Sequence, residues 1–285
     1  MPLNALLLVL LAAVMHTAWN ILVKQAQNRQ VFTWWALTVG ATLFIPLIVL
    51  STALPGEIWP YVILSALAEA AYFVALLRAY QYGDFSLVYP IARGAAPALL
   101  AVWAILFLGE RPQPGGLLGL SLLLLGLILV AGGRVFLQRG ASILRTPGLG
   151  AALMVALFIS IYSAIDAAGV RLTSPVAYGV LVLGLGAVFT APVVFVRYGY
   201  RGVLDVGRAH WLRILLVSLL MMLTYIIVLQ AYAIARASYV GALREVSVVF
   251  AAWVGWRWMG ESFGVVRTSG SLLIFAGIVL IALVG

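Results

Sequence analysis

Apolar residues fill ten long stretches of this chain, and short polar connections separate them. Each stretch reaches about 20 residues, the length that an α-helix needs to cross a bilayer. They are too long and continuous for the roughly ten-residue alternating strands of a membrane barrel. The pattern predicts an all-α polytopic membrane protein with ten transmembrane helices, at residues 2–23, 31–51, 58–81, 85–108, 114–133, 148–170, 176–196, 211–234, 238–259 and 264–284.

One arrangement of residues occurs twice, 151 positions apart, and its members are Gly109-Glu110, Gly119 and Gly126 against Gly260-Glu261, Gly270 and Gly277. At the same offset, Arg93 corresponds to Arg244. A duplicated unit with an odd number of spans has its second copy upside down in the membrane. The sequence therefore predicts two inverted five-helix repeats, 1–133 (helices 1–5) and 148–285 (helices 6–10), joined by a linker at 134–147.

The composition is not that of a soluble protein, and because ten spans fill most of the chain we expect no soluble domain in it. Hydrophobic residues make up 65% of the 285 residues and charged ones 9%, against roughly 45–50% and 25% in soluble domains. No basic residue precedes the first apolar stretch, which continues to Lys24 without a clear cleavage site. We therefore expect a retained first helix and not a signal peptide.

Positive charge indicates topology here and not a nucleic-acid partner, because the basic residues lie singly in short connections. The net charge is +9; odd-numbered connections carry twelve Lys and Arg, and even-numbered ones carry three. By the positive-inside rule, the odd connections face the cytoplasm and both termini lie outside.

The two Gly-Glu pairs at the ends of the fourth helices, together with the run SLVYPIAR from Ser86 to Arg93, resemble the EamA family of the drug/metabolite transporter (DMT) superfamily over nearly the whole chain. The resemblance implies a secondary transporter without a cofactor, in a bacterial inner (plasma) membrane. Relatives carry amino acids, nucleotide sugars, sugar phosphates or drugs. They often keep both termini in the cytoplasm, opposite to the charge count.

Five ionisable residues lie well inside predicted spans: Glu69, Arg93, Asp166, Arg244 and Glu245. Each costs about 2.5–3.5 kcal/mol in lipid, so we expect all five to face a shared polar interior. Three carboxylates and two guanidiniums leave that interior at minus one. This balance favours a zwitterion, or an anion exchanged with a proton, as the cargo.

Arg93 and Arg244 are the strongest candidates, because the repeat places one on each fourth-type helix. Two guanidiniums can clamp a carboxylate or a phosphate bidentately. The alternative is structural: Glu69 and Glu245 balance the two charges, and the pairs hold the helices together.

Two further carboxylates have aromatic neighbours on the same helix face. Tyr72 follows Glu69 by three residues, and Tyr162 precedes Asp166 by four. A carboxylate beside aromatic rings suits an ammonium group, and a carboxylate inside a membrane suits proton coupling. Alternatively, Asp166 pairs with Arg171 at the helix end.

The first helix contributes His16, Trp19 and Asn20 on one face, with His16 either a proton relay or a helix-bridging hydrogen bond. The candidate residues are, for substrate binding, Arg93, Arg244, Glu69, Tyr72, Trp19, Asn20, Tyr89 and Tyr162, and, for coupling, Glu69, Glu245, Asp166 and His16.

The other repeated residues are expected to build the scaffold. Glycines seven residues apart in each fifth helix permit close packing, either within the chain or in a homodimer. Glu110 and Glu261 are expected near the surface, closing the turn to the fifth helix. Pro90 and Pro97 predict a kinked fourth helix, so that the first half has the more irregular backbone.

The sequence thus favours a secondary transporter that exports a small anionic or zwitterionic metabolite by alternating access, with proton coupling as an option. The alternative is a flippase or exporter of an amphipathic lipid or drug, which the 12% aromatic content would suit. A metal site and an enzyme are not expected, because the chain has no cysteine, His-Glu-x-x-His, Gly-x-Ser-x-Gly or Walker motif. The expected partners are a small-molecule substrate and the lipid bilayer.

Overall fold

The computed structural model describes residues 1–49, 54–82, 85–139, 149–247, 249–250, 253 and 265–284, without the side chains of 49, 77–82, 85–91, 131–139 and 267. All regular structure in these ranges is helical, which confirms the all-α class. The α-helices are α1 (Leu3–Lys24), α2 (Arg29–Val49), α3 (Trp59–Tyr82), α4 (Phe85–Phe107), α5 (Pro114–Arg139), α6 (Leu149–Gly169), α7 (Pro175–Ala209), α8 (Trp211–Ile234), α9 (Ala237–Arg244) and α10 (Val265–Val284).

Six of the described helices have the length and composition of membrane spans. Within the described ranges, α1, α2, α3, α6, α7 and α8 are long and apolar enough to cross a bilayer. Shorter described apolar segments lie in α4, α5 and α10. The chain is therefore a multi-pass membrane protein.

Helix α7 differs from its prediction, because it continues to Ala209 and contains a break. It begins at a Ser-Pro pair, in which the Ser174 hydroxyl accepts a hydrogen bond from Ala177 N at 3.1 Å and Pro175 needs no N–H partner. At Gly199 the backbone has φ 69° and ψ 160°, a conformation that glycine alone adopts readily. Residues 200–209 consequently form a separate short helix after the membrane span.

The helices pair between the halves in a pattern that the duplication explains. Helix α1 packs against α8 and α9, and its repeat equivalent α6 packs against α3 and α4. Each of the equivalent pairs α2 and α7, α4 and α9, and α5 and α10 is in direct contact. The largest cluster of buried apolar side chains draws on all ten helices, so the two halves share one core.

The repeated glycines lie where α5 and α10 cross. A Cβ on Gly119 would lie 2.9 Å from the Gly277 carbonyl oxygen, and one on Gly126 would lie 2.5 Å from that of Gly270. Gly119 of α5 thus lies against Gly277 of α10, and Gly126 lies against Gly270. The two helices therefore run antiparallel, with their backbones in contact. Packing within the chain is the role that these glycines have in the described structure.

The Gly109-Glu110 pair has a role that differs from the predicted one. Just beyond the end of α4, Gly109 has a left-handed backbone at φ 65°, and Glu110 N donates back to Ala104 O at 3.0 Å. The Glu110 carboxylate is buried and accepts hydrogen bonds from the backbone N–H groups of Ala237 and Ser238.

Glu110 therefore caps α9 of the other half, and the prediction of a surface residue that closes its own turn is wrong. The reason is that the first N–H groups of a helix lack partners in their own helix and attract a carboxylate. Its repeat counterpart, Gly260-Glu261, lies outside the described residues.

Candidate functional site

The irregular backbone of the two fourth-type helices lies in the second half, contrary to the prediction from Pro90 and Pro97. Helix α4 is continuous from Phe85 to Phe107, because a helix can continue past a proline that removes one hydrogen bond. Helix α9 instead ends at Arg244, where Glu245 N donates to Ala242 O and Val246 N to Leu243 O, both at 3.1 Å. These tighter turns are of the 3₁₀ type and place two charged residues at a helix interruption.

An ion pair joins the two fourth-type helices at this interruption. Arg93 Nε lies 2.6 Å from Glu245 Oε2, with side chains that are 14% and 5% exposed. Arg93 Nη2 also donates to Ser247 Oγ at 3.2 Å. Thr17 of α1 donates to the Ser247 carbonyl oxygen at 3.1 Å. We call Arg93, Arg244, Glu245, Ser247 and Tyr232 the arginine cluster.

Arg244 has a different environment from Arg93, despite the repeat. Its Nη1 donates to the Tyr232 hydroxyl at 3.2 Å. Beside it lies a small cavity of about 10 Å³, lined by Ala96, Pro97, Leu100, Ile159, Ser160, Ser163, Tyr232, Gly241, Arg244 and Glu245. This space holds about one water molecule, so the described structure is closed around its guanidinium.

A second polar group surrounds Asp166, which is fully buried. Its Oδ1 accepts hydrogen bonds from Ser65 Oγ at 2.5 Å and from the Tyr178 hydroxyl at 3.2 Å. Its Oδ2 accepts one from the Tyr225 hydroxyl at 2.7 Å. Three hydroxyl donors from α3, α7 and α8 thus stabilise one carboxylate, and pairing with Arg171 is not what the structure shows.

Glu69 belongs to the same group, which we call the carboxylate cluster: Glu69, Asp166, Ser65, Tyr178 and Tyr225. It lies within electrostatic range of Asp166, Arg244 and Tyr225. A Cβ on Gly186 of α7 would lie 3.5 Å from its Oε2. Close by, the rings of Tyr72 and Tyr162 pack edge to face at 6.2 Å, and Tyr162 interacts with both Glu69 and Arg244.

The three candidates of α1 separate along the helix. His16 lies within electrostatic range of Arg93 and Arg244, and its ring packs edge-on against Trp19 at 4.7 Å. The Trp19 indole N–H is buried and has no hydrogen-bond partner among the described residues. Asn20 lies on the exposed side, where its Nδ2 donates to the His16 carbonyl oxygen at 2.7 Å.

The structure brings the five ionisable residues of the predicted spans together. Glu69, Asp166 and Glu245 lie within electrostatic range of Arg244. Arg93 joins them through its ion pair with Glu245. The side chain of Tyr89 lies outside the described part of α4. The prediction of one shared polar interior is consistent with this arrangement.

Sequence reasoning missed the hydroxyl residues of the site: Ser65, Ser163, Tyr178, Tyr225, Tyr232 and Ser247. A signal was present in the spacing, because Ser65 lies four residues before Glu69 and Tyr225 lies seven before Tyr232, which puts each pair on one helix face. Serine and tyrosine in apolar spans are too common to single out alone. Only the packing shows which of them reach a charge.

Comparison with known proteins gives a consistent result. The model of the EamA-like transporter family matches residues 3–132 and 146–283. A Sinorhizobium protein described as an uncharacterized transporter in the cobO 3′ region is 33% identical over 78 residues, 27% of this chain and 55% of the relative. The chain thus matches about half the length of that curated relative.

A solved structure, described as the crystal structure of a protein, superposes with a TM-score of 0.74 and covers 99% of both chains at 16% identity. At this identity the likeness concerns the fold. The helical arrangement described above therefore recurs in a protein of nearly unrelated sequence.

Proposed function

Because this chain belongs to the EamA-like transporter family and is a membrane transporter, we propose that it is a secondary active transporter that exports a small anionic or zwitterionic metabolite by alternating access. The observation that carries the proposal is the arginine cluster. Two guanidiniums and one carboxylate meet at a helix interruption inside the bundle, next to a small cavity. Buried ionisable groups at interrupted helices are typical of transporter sites.

Alternating access rests on the proposed inversion of the repeats. Two observations support it: equivalent helices contact each other across the molecule, and α5 and α10 cross antiparallel at their matching glycines. A twofold axis in the membrane plane would produce both. Rocking of the two halves about the arginine cluster would then open the cavity to one side and then to the other.

The two clusters offer complementary charges to the two ends of a zwitterion. Arg244 and Arg93 would bind the carboxylate of the cargo, with Glu245 displaced from Arg93. Glu69, beside Tyr72 and Tyr162, would bind the ammonium group. A proton competes with an ammonium group for the same carboxylate, so proton entry would drive export.

Binding of the cargo by the two arginines is tested on the protein reconstituted in proteoliposomes. We expect a counterflow screen of amino acids and small organic acids in proteoliposomes to find a substrate. Arg244→Ala should then lower its transport about tenfold to a hundredfold, because a hydrogen bond to a charged group contributes about 1.5–3 kcal/mol. Arg236→Ala, at the start of α9 and outside the cluster, is the matched control. Wild-type rates in both Arg244→Ala and Arg93→Ala, with normal insertion, would exclude the clamp.

Proton coupling is tested with an imposed pH gradient. Wild-type export should accelerate when the opposite side is acidified, whereas Glu69→Gln, which has a similar shape and no titratable proton, should lose most of this response. Asp205→Asn, on the exposed short helix, is the control and should keep it. A wild-type transport rate that does not change with the pH gradient would contradict proton coupling.

Orientation is part of the proposal. The twelve-to-three distribution of Lys and Arg supports cytoplasmic odd-numbered connections and both termini outside, against the habit of relatives. The lining of the described cavity, with Arg244, Glu245 and three hydroxyls, supports a small polar cargo over an amphipathic lipid.

A further inference from the structure

A second cavity lies away from the polar clusters, on the outer surface of the bundle. It measures about 520 Å³ and is lined almost entirely by apolar atoms, from Trp35, Val39, Leu204, Gly207, Arg208, Trp211, Ile214 and Leu215. Its volume falls in the roughly 300–1,000 Å³ range of small-molecule pockets. It opens to the outside of the protein, where the bilayer surrounds the helices.

Three elements build this cavity: α2, the short helix 200–209 and the start of α8. The break at Gly199 turns the short helix out of the α7 axis. Trp35 Nε1 then donates to the Val203 carbonyl oxygen at 2.8 Å, and a Cβ on Gly207 would lie 2.8 Å from the Trp35 ring. This close contact holds the short helix against α2 and leaves the space between them and α8.

From its aromatic residues we infer that the cavity begins at the level of the membrane surface and continues toward the apolar core. Trp35 and Trp211 lie at one end, one helical turn before Val39 and Leu215 along their own helices. Tyr198 and Tyr200 flank the break at Gly199. Tryptophan and tyrosine concentrate at the level of the lipid headgroups. An acyl chain could therefore enter lengthwise beside Trp211.

Positive charge surrounds the same end. Arg208 lines the cavity and is exposed, and Arg197 and Arg201 are exposed on either side of the break, with Asp205 as the exposed acid of the short helix. The charge count assigns this connection to the cytoplasmic side. Arginines beside an apolar cavity at this depth match the phosphate of an anionic lipid.

We propose that this cavity is a binding site for one anionic phospholipid, with an acyl chain along Val39, Leu204 and Leu215 and the headgroup phosphate at Arg208. The site is separate from the arginine and carboxylate clusters, so its occupant is a resident lipid and not the cargo. A lipid that bridges α2, the short helix and α8 would stabilise the closed packing between both halves.

The test is native mass spectrometry of the purified full chain with phosphatidylglycerol or phosphatidylcholine of the same acyl chains. We expect the wild type to retain phosphatidylglycerol about fivefold more than phosphatidylcholine, because one arginine near a membrane surface contributes about 1 kcal/mol. Arg208→Gln should lose this preference. Arg171→Gln, at an exposed arginine in the turn between α6 and α7, should keep it.

The apolar part is tested by filling the cavity. Leu204→Trp should reduce retention of both lipids while cargo transport in proteoliposomes of defined lipid still proceeds. Undiminished lipid retention by Leu204→Trp would overturn the site, as would equal retention of the two lipids by the wild type. A protein dimer that Leu204→Trp abolishes, with lipid binding unchanged, would identify a second copy of this chain as the occupant and also overturn it. Loss of transport with lipid retention intact would bear on the proposed function alone.

Discussion

Replacing Glu245 by leucine is expected to destabilise the protein by about 3–5 kcal/mol, because the change leaves the Arg93 guanidinium buried without its carboxylate. The two groups lie 2.6 Å apart with little exposure. Arg93→Met alone should destabilise by a similar amount for the converse reason. The double variant, which removes both charges, should return to within about 1 kcal/mol of the wild type, since a buried ion pair adds little over apolar residues of similar size.

This cycle separates the two roles that the sequence left open for the arginines. If the pair only holds α4 and α9 together, the double variant recovers stability and transport alike. If Arg93 binds cargo or Glu245 takes part in coupling, stability returns and transport does not. Unfolding would be followed by thermal denaturation in detergent and transport by counterflow, with Glu57→Gln at an exposed position as the control. A Glu245→Leu protein as stable as the wild type would contradict the structural contribution of the pair.

The crossing of α5 and α10 gives the second large effect. Gly126→Ala should destabilise by about 1–3 kcal/mol, because the added methyl would lie 2.5 Å from the Gly270 carbonyl oxygen and backbone cannot move aside as a side chain can. Gly270→Ala, whose methyl would lie 2.8 Å from the Gly126 carbonyl oxygen, should behave alike. Leucine at either position should prevent accumulation of folded protein.

Gly94→Ala is the matched control, because its methyl would meet only Ile128 at 3.6 Å, an ordinary contact. Alanine is the better helix former by about 1 kcal/mol, so this variant should be neutral or slightly stabilised. Opposite changes in stability from the same substitution at the two positions, measured by thermal unfolding, would verify the close crossing of α5 and α10. Equal stability of Gly126→Ala and Gly94→Ala would show that the helices do not approach this closely.

Helix positions could be predicted because each one follows from local chemistry. A run of apolar residues must satisfy its own backbone in lipid, and a helix does so within the segment. The prediction for 211–234 accordingly matches α8 at both ends. The short helix 200–209 was missed because its amphipathic residues follow the span and depend on a break at a single glycine.

The site could be predicted only in part. Charge within a span identified Arg93, Asp166 and Glu245, since an unpaired charge in lipid is costly wherever it lies. Their partners come from other helices: Asp166 from α6 is bound by hydroxyls of α3, α7 and α8. Such contacts depend on helix rotation and depth, on which composition and spacing carry little information.

By itself, the sequence determined that this protein is an all-helical membrane protein with two similar halves, because apolar length and a repeated pattern are properties of the chain. Its assignment to a transporter family came from resemblance to known sequences. Only the tertiary structure decided that Glu110 of the first Gly-Glu pair caps α9 of the other half and that the helix interruption falls at Arg244 and Glu245. It also decided that equivalent arginines have different partners. Backbone groups without a partner in their own helix, and buried charges, interact with whichever group the packing brings within hydrogen-bonding distance. Equivalent residues of the two repeats can therefore have different partners.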